Sequence, residues 1–97
     1  MIIIKDSLSI GKMREAGQRL AGVMLEIGDL VRVGVSTLEI DTQFEKKMRA
    51  AGLRPVCKGY AGYKHATCIS LNDVVIHGVP SDKIVLKSGD FVKIDVV

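Results

Sequence analysis

Asp95 stands inside the apolar run Phe91-Val92-Lys93-Ile94-Asp95-Val96-Val97, where β-propensity disfavours a carboxylate and burial without a cation or several donors is costly. Two readings of it are open: a residue on a solvated strand face with Lys93 nearby, or a ligand for a hard divalent cation. His77 closes the apolar stretch Val74-Val75-Ile76 and precedes Gly78-Val79-Pro80, a glycine that allows backbone or ligand to approach closely. Its imidazole can donate or accept near neutral pH, either as a structural hydrogen-bonder or as a participant in a reaction. Cys57, Tyr60, Tyr63 and Cys68 surround the glycine-rich loop Lys58-Gly59-Tyr60-Ala61-Gly62-Tyr63, which holds both tyrosines of a chain with two Tyr, two Phe and no Trp. They read as a pocket wall or as a surface loop with its rings laid on the core. His65, in a polar loop, has no second histidine at metal-pair spacing and is expected to face solvent. The chain has no nucleophile elbow, phosphate loop, His-Glu-x-x-His or paired-cysteine zinc motif.

These residues must be positioned by elements that the sequence announces with different clarity. Ile10, Met13, Gly17, Leu20, Ala21, Met24, Ile27 and Val31 recur at helical spacing, so a first helix is expected from about Ser9 to about Val31. A short strand is expected before it at Ile2 to Ile4. A second helix begins at Ser36, with Glu39 completing a capping box and Val35 and Ile40 able to form a staple; Gly52 sits where a left-handed C-terminal cap belongs. From Leu53 the chain turns to short β-prone runs. Thr67 to Leu71 and Val74 to His77 bracket Asn72-Asp73 and predict an antiparallel hairpin, and Phe91 to Val97 predicts a further strand with Val92, Ile94 and Val96 on one face. The chain stops inside that strand, so a missing continuation is expected.

Ninety-seven residues fit one small domain with a thin core. Apolar residues at 47% and charged residues at 26% form an ordinary folding mixture, which excludes disordered, collagen-like and disulfide-dense classes. The longest apolar runs, such as Met1 to Ile4, fall far short of the roughly 20 residues that cross a bilayer, and no membrane segment or signal peptide is expected. Two cysteines without close spacing suit a reducing compartment, and a cytoplasmic location follows as the expectation. The net charge of +3 is spread along the chain, so charge names no nucleic-acid partner.

The segments Gly59-Tyr60 to Tyr63, Thr67 to Val75, His77-Gly78-Val79-Pro80, and Leu86-Lys87-Ser88-Gly89-Asp90 followed by Ile94-Asp95-Val96 resemble type I methionine aminopeptidases in order and spacing. The resemblance extends upstream through Lys12-Met13-Arg14 with Ala16-Gly17, and through Gly34-Val35-Ser36-Thr37. It implies an α/β (α+β) fold, the N-terminal half of a pita-bread domain with two helices packed on an antiparallel sheet. Residues 1–97 would then be the N-terminal part of a single catalytic domain whose C-terminal part is absent.

The implied activity is removal of the initiator methionine from nascent chains with a small second residue, by hydrolysis assisted by two divalent ions of the cobalt, manganese, iron, zinc or nickel class. The resemblance places Asp95 as the first metal ligand and the only one this chain carries. It makes His77 a catalytic and substrate-contacting residue, and Cys57, Tyr60, Tyr63 and Cys68 the wall of a methionine pocket, where sulfur and aromatic edges suit a thioether. The backbone carbonyls of Asn72 and Val74 would hold one monovalent cation. Ala61 departs from the larger polar residue that many relatives carry in this loop, which bears on fine selectivity. The implied partners are nascent N-termini and the ribosome, with no specific nucleic acid and no membrane, for a parent that is monomeric; the 97 residues alone are expected to be inactive. The alternative is a non-catalytic pita-bread module that binds peptides or proteins.

Overall fold

The computed structural model describes residues 1–97. Helix α1 spans Ser7–Ile27 and runs into a 3-10 turn at Gly28–Leu30. Its start lies earlier than Ser9 because the Asp6 carboxylate accepts from the Ser9 amide at 2.8 Å, an N-cap that holds this carboxyl below the usual range. Only the C-terminal half of α1 packs, through buried Val23 and Ile27 with Leu20 and Met24 half-covered, while Ile10 and Met13 are exposed. The cause is length: α1 has 21 residues, about 31 Å of helix, whereas α2 at Thr37–Ala50 has 14, about 21 Å, and cannot cover it.

Helix α2 begins as its sequence predicts, with the Ser36 hydroxyl accepting from the Glu39 amide at 3.1 Å. The box is not reciprocal, since the Glu39 carboxylate instead accepts from the Gln43 side chain at 3.2 Å. It ends at Gly52, whose φ of 77° suits glycine, and Leu53 donates back to the Met48 carbonyl at 2.9 Å. Ile40, Phe44 and Met48 from α2 join Val23, Ile27, Ile69 and Leu86 in one core. No helix is long and apolar enough to cross a membrane.

The sheet has two strands, β1 at Thr67–Leu71 and β2 at Val92–Val96, paired antiparallel with Cys68 opposite Asp95 and Ile69 opposite Ile94. Thr67, Ile69 and Leu71 share a face with Val92, Ile94 and Val96, and that face meets the helices. Two helices on an antiparallel sheet is the expected fold class. The expected hairpin between Thr67–Leu71 and Val74 to His77 does not form. Asn72 takes a left-handed φ of 50°, its amide donates to the Phe91 carbonyl at 3.1 Å, and its side chain joins Asp90 and the Phe91 amide, each at 3.0 Å. The turn is thereby fused to the entry of β2, which pairs along one edge of β1, while the other edge meets residues 74–80 only at Gly78. Val74, Val75 and Ile76 stay exposed. Ile2 to Ile4 form no strand either: they stay exposed and pair with neither β1 nor β2.

Residues 77–80 return to β1 at one point. Gly78 accepts from the Ile69 amide and donates to the Ser70 hydroxyl, both at 2.9 Å. A Cβ at Gly78 would lie 2.2 Å from the Ile69 carbonyl oxygen, so a side chain must push this loop off the strand. Gly78→Ala is expected to lower the unfolding free energy by about 1–3 kcal/mol, the usual cost of overpacking. A urea midpoint equal to that of the unsubstituted chain would show that the loop has room to give.

Candidate active site

The sheet face turned away from the helices carries Cys68 and Asp95 side by side, because directly opposite residues of an antiparallel pair project to the same side. A loop built on Gly59 (φ 90°) and Gly62 (φ 81°) bends over that face, closed by the Gly59 amide on the Tyr63 carbonyl at 2.7 Å. The result is a cleft of about 420 Å³. Cys57, Tyr60, Tyr63, Cys68, His77 and Asp95 all line it, so residues spread from 57 to 95 in the sequence converge on one space.

Hydrogen bonds fix the inner wall. The Cys57 thiol donates to the Ala66 carbonyl at 2.9 Å, the Tyr63 hydroxyl donates to the Thr67 carbonyl at 2.6 Å, and the Cys68 thiol donates to the Tyr63 oxygen at 3.5 Å. Burial, then the neighbouring Cys68, raises the Cys57 thiol above its ordinary range, and burial with the Cys68 hydrogen bond raises the Tyr63 phenol. Both groups are therefore neutral at physiological pH. The wall is soft and uncharged, suited to an apolar or thioether side chain and not to thiolate attack. Both cysteines are free.

The rim differs. Tyr60 is exposed, and His77 projects at the opening with a left-handed φ of 61°, a strained conformation for a residue other than glycine. The His77 ring makes no hydrogen bond within the chain and is free to meet a ligand. Asp95 is exposed within the cleft and makes no ion pair. Lys93 is not beside it in any bonding sense, since its ammonium donates to the Asn72 carbonyl at 2.8 Å.

A divalent metal pair needs more than this chain provides: no three His, Cys, Asp or Glu side chains gather where they could hold an ion, and Asp95 is a single carboxylate. The residues present do not by themselves fit such a pair. Asn72 and Val74 lie outside the cleft. The Asn72 carbonyl already carries the Lys93 ammonium, so its fit to a monovalent ion is contested by a tethered cation of the same charge.

Two cleft residues escape a sequence reading, Val79 and Val97, whose apolar type gives no chemical signal. His65, expected in solvent, is half-buried with its Nδ1 at 3.2 Å from the Asp41 carboxylate. Asp41 itself is 3% exposed and was hidden because an aspartate on α2 reads as a solvated helix position.

The profile of metallopeptidase family M24 matches residues 11–97. Methionine aminopeptidase 1 of Bacillus subtilis is 38% identical over 96 residues, covering 99% of this chain and 38% of the relative. Methionine aminopeptidase of Haemophilus influenzae is 44% identical over 96 residues, covering 98% of this chain and 36% of the relative. The crystal structure of methionine aminopeptidase from Thermotoga maritima superposes with a TM-score of 0.93 at 38% identity, over 99% of this chain and 39% of that one. That from Rickettsia prowazekii gives 0.93 at 36% identity, over 99% and 38%. The chain thus spans less than two-fifths of the length of these relatives.

Proposed function

The chain belongs to metallopeptidase family M24, and from that premise we propose that it supplies the methionine-binding part of a methionine aminopeptidase active site. The observation that carries the reading is the convergence of Cys57, Tyr63 and Cys68 with His77 and Asp95 on one cleft. The proposed reaction is hydrolysis of the peptide bond after an initiator methionine, on nascent chains whose second residue is small. Such substrates emerge from the ribosome, which places the activity in the cytoplasm.

In this reading the thioether lies against the Cys57 and Cys68 sulfurs and the Tyr63 ring, on a wall whose Cys57 thiol and Tyr63 phenol are held neutral by burial. Because the Tyr63 hydroxyl is spent on the Thr67 carbonyl, the ring offers its apolar surface to the substrate. His77 at the rim donates to the carbonyl oxygen of the scissile bond and holds it more strongly as negative charge develops there. Asp95 would supply one carboxylate to a divalent-metal site, whose ions would polarise the carbonyl and activate water, with the further ligands coming from outside residues 1–97.

The test is a chimera in which residues 1–97 replace the matching segment of the Haemophilus influenzae relative, assayed on Met-Ala-Ser. Within it, Cys68→Phe fills the cleft wall and is expected to raise KM about 10-fold or more, with kcat and bound metal unchanged, as for lost uniform binding. Loss of metal at unchanged KM would mean that Cys68 does not touch the substrate.

A further inference from the structure

Asp41 is a buried carboxylate that the proposed chemistry does not use. It lies on α2, away from the cleft lining, yet its Oδ1 accepts from the Ala66 amide at 3.1 Å, the Thr67 amide at 2.8 Å and the Thr67 hydroxyl at 2.7 Å. Its Oδ2 faces His65 Nδ1 at 3.2 Å. A buried carboxylate is costly unless its oxygens are satisfied, and four donors meet that requirement here. What those donors are attached to is informative. The peptide unit joining Ala66 and Thr67 donates its N–H to Asp41 and accepts the Cys57 thiol on its carbonyl, while the next carbonyl, of Thr67, accepts the Tyr63 hydroxyl. The His65 ring that Asp41 faces stands edge-on to the Tyr63 ring, with centroids 5.6 Å apart at 70°. Two of these ties, through the Thr67 amide and through the His65 ring, therefore lead on to the cleft-wall residues Cys57 and Tyr63.

We infer that Asp41 is a positioning residue of the cleft: from α2 it fixes the Ala66-Thr67 backbone and the His65 ring, and these set Cys57 and Tyr63 at the distance a substrate side chain needs. The inference rests on the methionine-pocket reading for its effect on substrate, whereas the brace itself is read independently. Charge-assisted bonds to backbone amides are roughly twice as strong as neutral ones, so a graded response is expected from Asp41→Asn, which keeps an acceptor oxygen, to Asp41→Ala, which keeps none.

The experiment uses the chimera and its two Asp41 variants, with iodoacetamide labelling of Cys57 and Cys68 resolved by peptide mass spectrometry and Met-Ala-Ser kinetics alongside. Asp41→Ala is expected to label Cys57 about 10-fold faster, as its thiol loses a fixed acceptor and part of its burial, with Cys68 changed much less. KM is expected to rise about 10-fold while kcat holds within about 3-fold. Asp41→Asn is expected to sit between, with Cys57 about 3-fold faster and most of the KM recovered. Lower thermal stability with Cys57 labelling and KM both unchanged would reduce Asp41 to a fastener of α2 and overturn the inference, as would faster labelling without a change in KM. Should Asp41→Ala unfold, with both cysteines labelling at the rate of a denatured chain, the Asn variant decides: Cys57 faster alone supports the brace, and no change refutes it. An unsubstituted chimera that folds and releases no methionine would count against the proposed function instead.

Discussion

His77→Ala in the chimera is expected to lower kcat on Met-Ala-Ser about 10²-fold or more, the range found when one donor to a developing oxyanion is removed. KM and bound metal should change by less than about 3-fold, because the lost contact strengthens only as charge develops on the carbonyl. Three observations converge on this. The ring lies exposed at the cleft rim and forms no hydrogen bond within the chain, so its capacity to donate is unspent. Its φ of 61° costs of order 1–3 kcal/mol in a residue other than glycine, a cost that stability alone does not explain. Gly78, locked to Ile69 and Ser70, maintains that conformation from the next position. Strain and activity can be separated: His77→Gly relieves the backbone and should raise the melting temperature while losing as much activity as His77→Ala. A His77→Ala chimera within about 3-fold of the unsubstituted rate would remove His77 from the chemistry.

Much of this architecture is legible in the residues, and what is hidden is hidden for a physical reason. Ser36 and Gly52 bound α2 because capping is local: a hydroxyl three residues before an amide, and a glycine able to take a positive φ. The six cleft residues could be named because Cys, Tyr, His and Asp are conspicuous in glycine-rich or apolar surroundings. Strand pairing is different. Val74 to His77 is as β-prone as Val92–Val96, and nothing local shows that Asn72 spends its side chain on Asp90 and Phe91 and so delivers β2, not residues 74–77, to one edge of β1. Asp41 and His65 are likewise ordinary polar residues until the fold brings α2 onto the start of β1. Buried polar ties between distant segments leave no periodicity to read.

The second large effect concerns the chain by itself, which is expected to release no methionine and to self-associate. Asp95 is its single carboxylate in the cleft, with no cluster of ligands to complete a metal site. Ile2 and Ile4 are each about nine-tenths exposed, and Leu25, Val75 and Phe91 about four-fifths, so large apolar side chains stand in solvent at both ends of the chain and along it. The matching relatives are more than twice as long as the aligned segment, and in the proposed function that additional length would supply further ligands and cover for these residues. Sedimentation of residues 1–97 is expected to show dimers or larger species at micromolar concentration.

Methionine release from Met-Ala-Ser by the chimera, set against residues 1–97 alone under the same metal supplement, tests most directly whether this chain builds the methionine-binding part of an active site. Release is expected within about 10-fold of the Haemophilus influenzae enzyme, with little or no release of leucine from Leu-Ala-Ser and none of either by the isolated chain, since a pocket matched to the thioether discriminates by the contacts it makes. A chimera that folds cooperatively, carries its metal and leaves Met-Ala-Ser intact would contradict it.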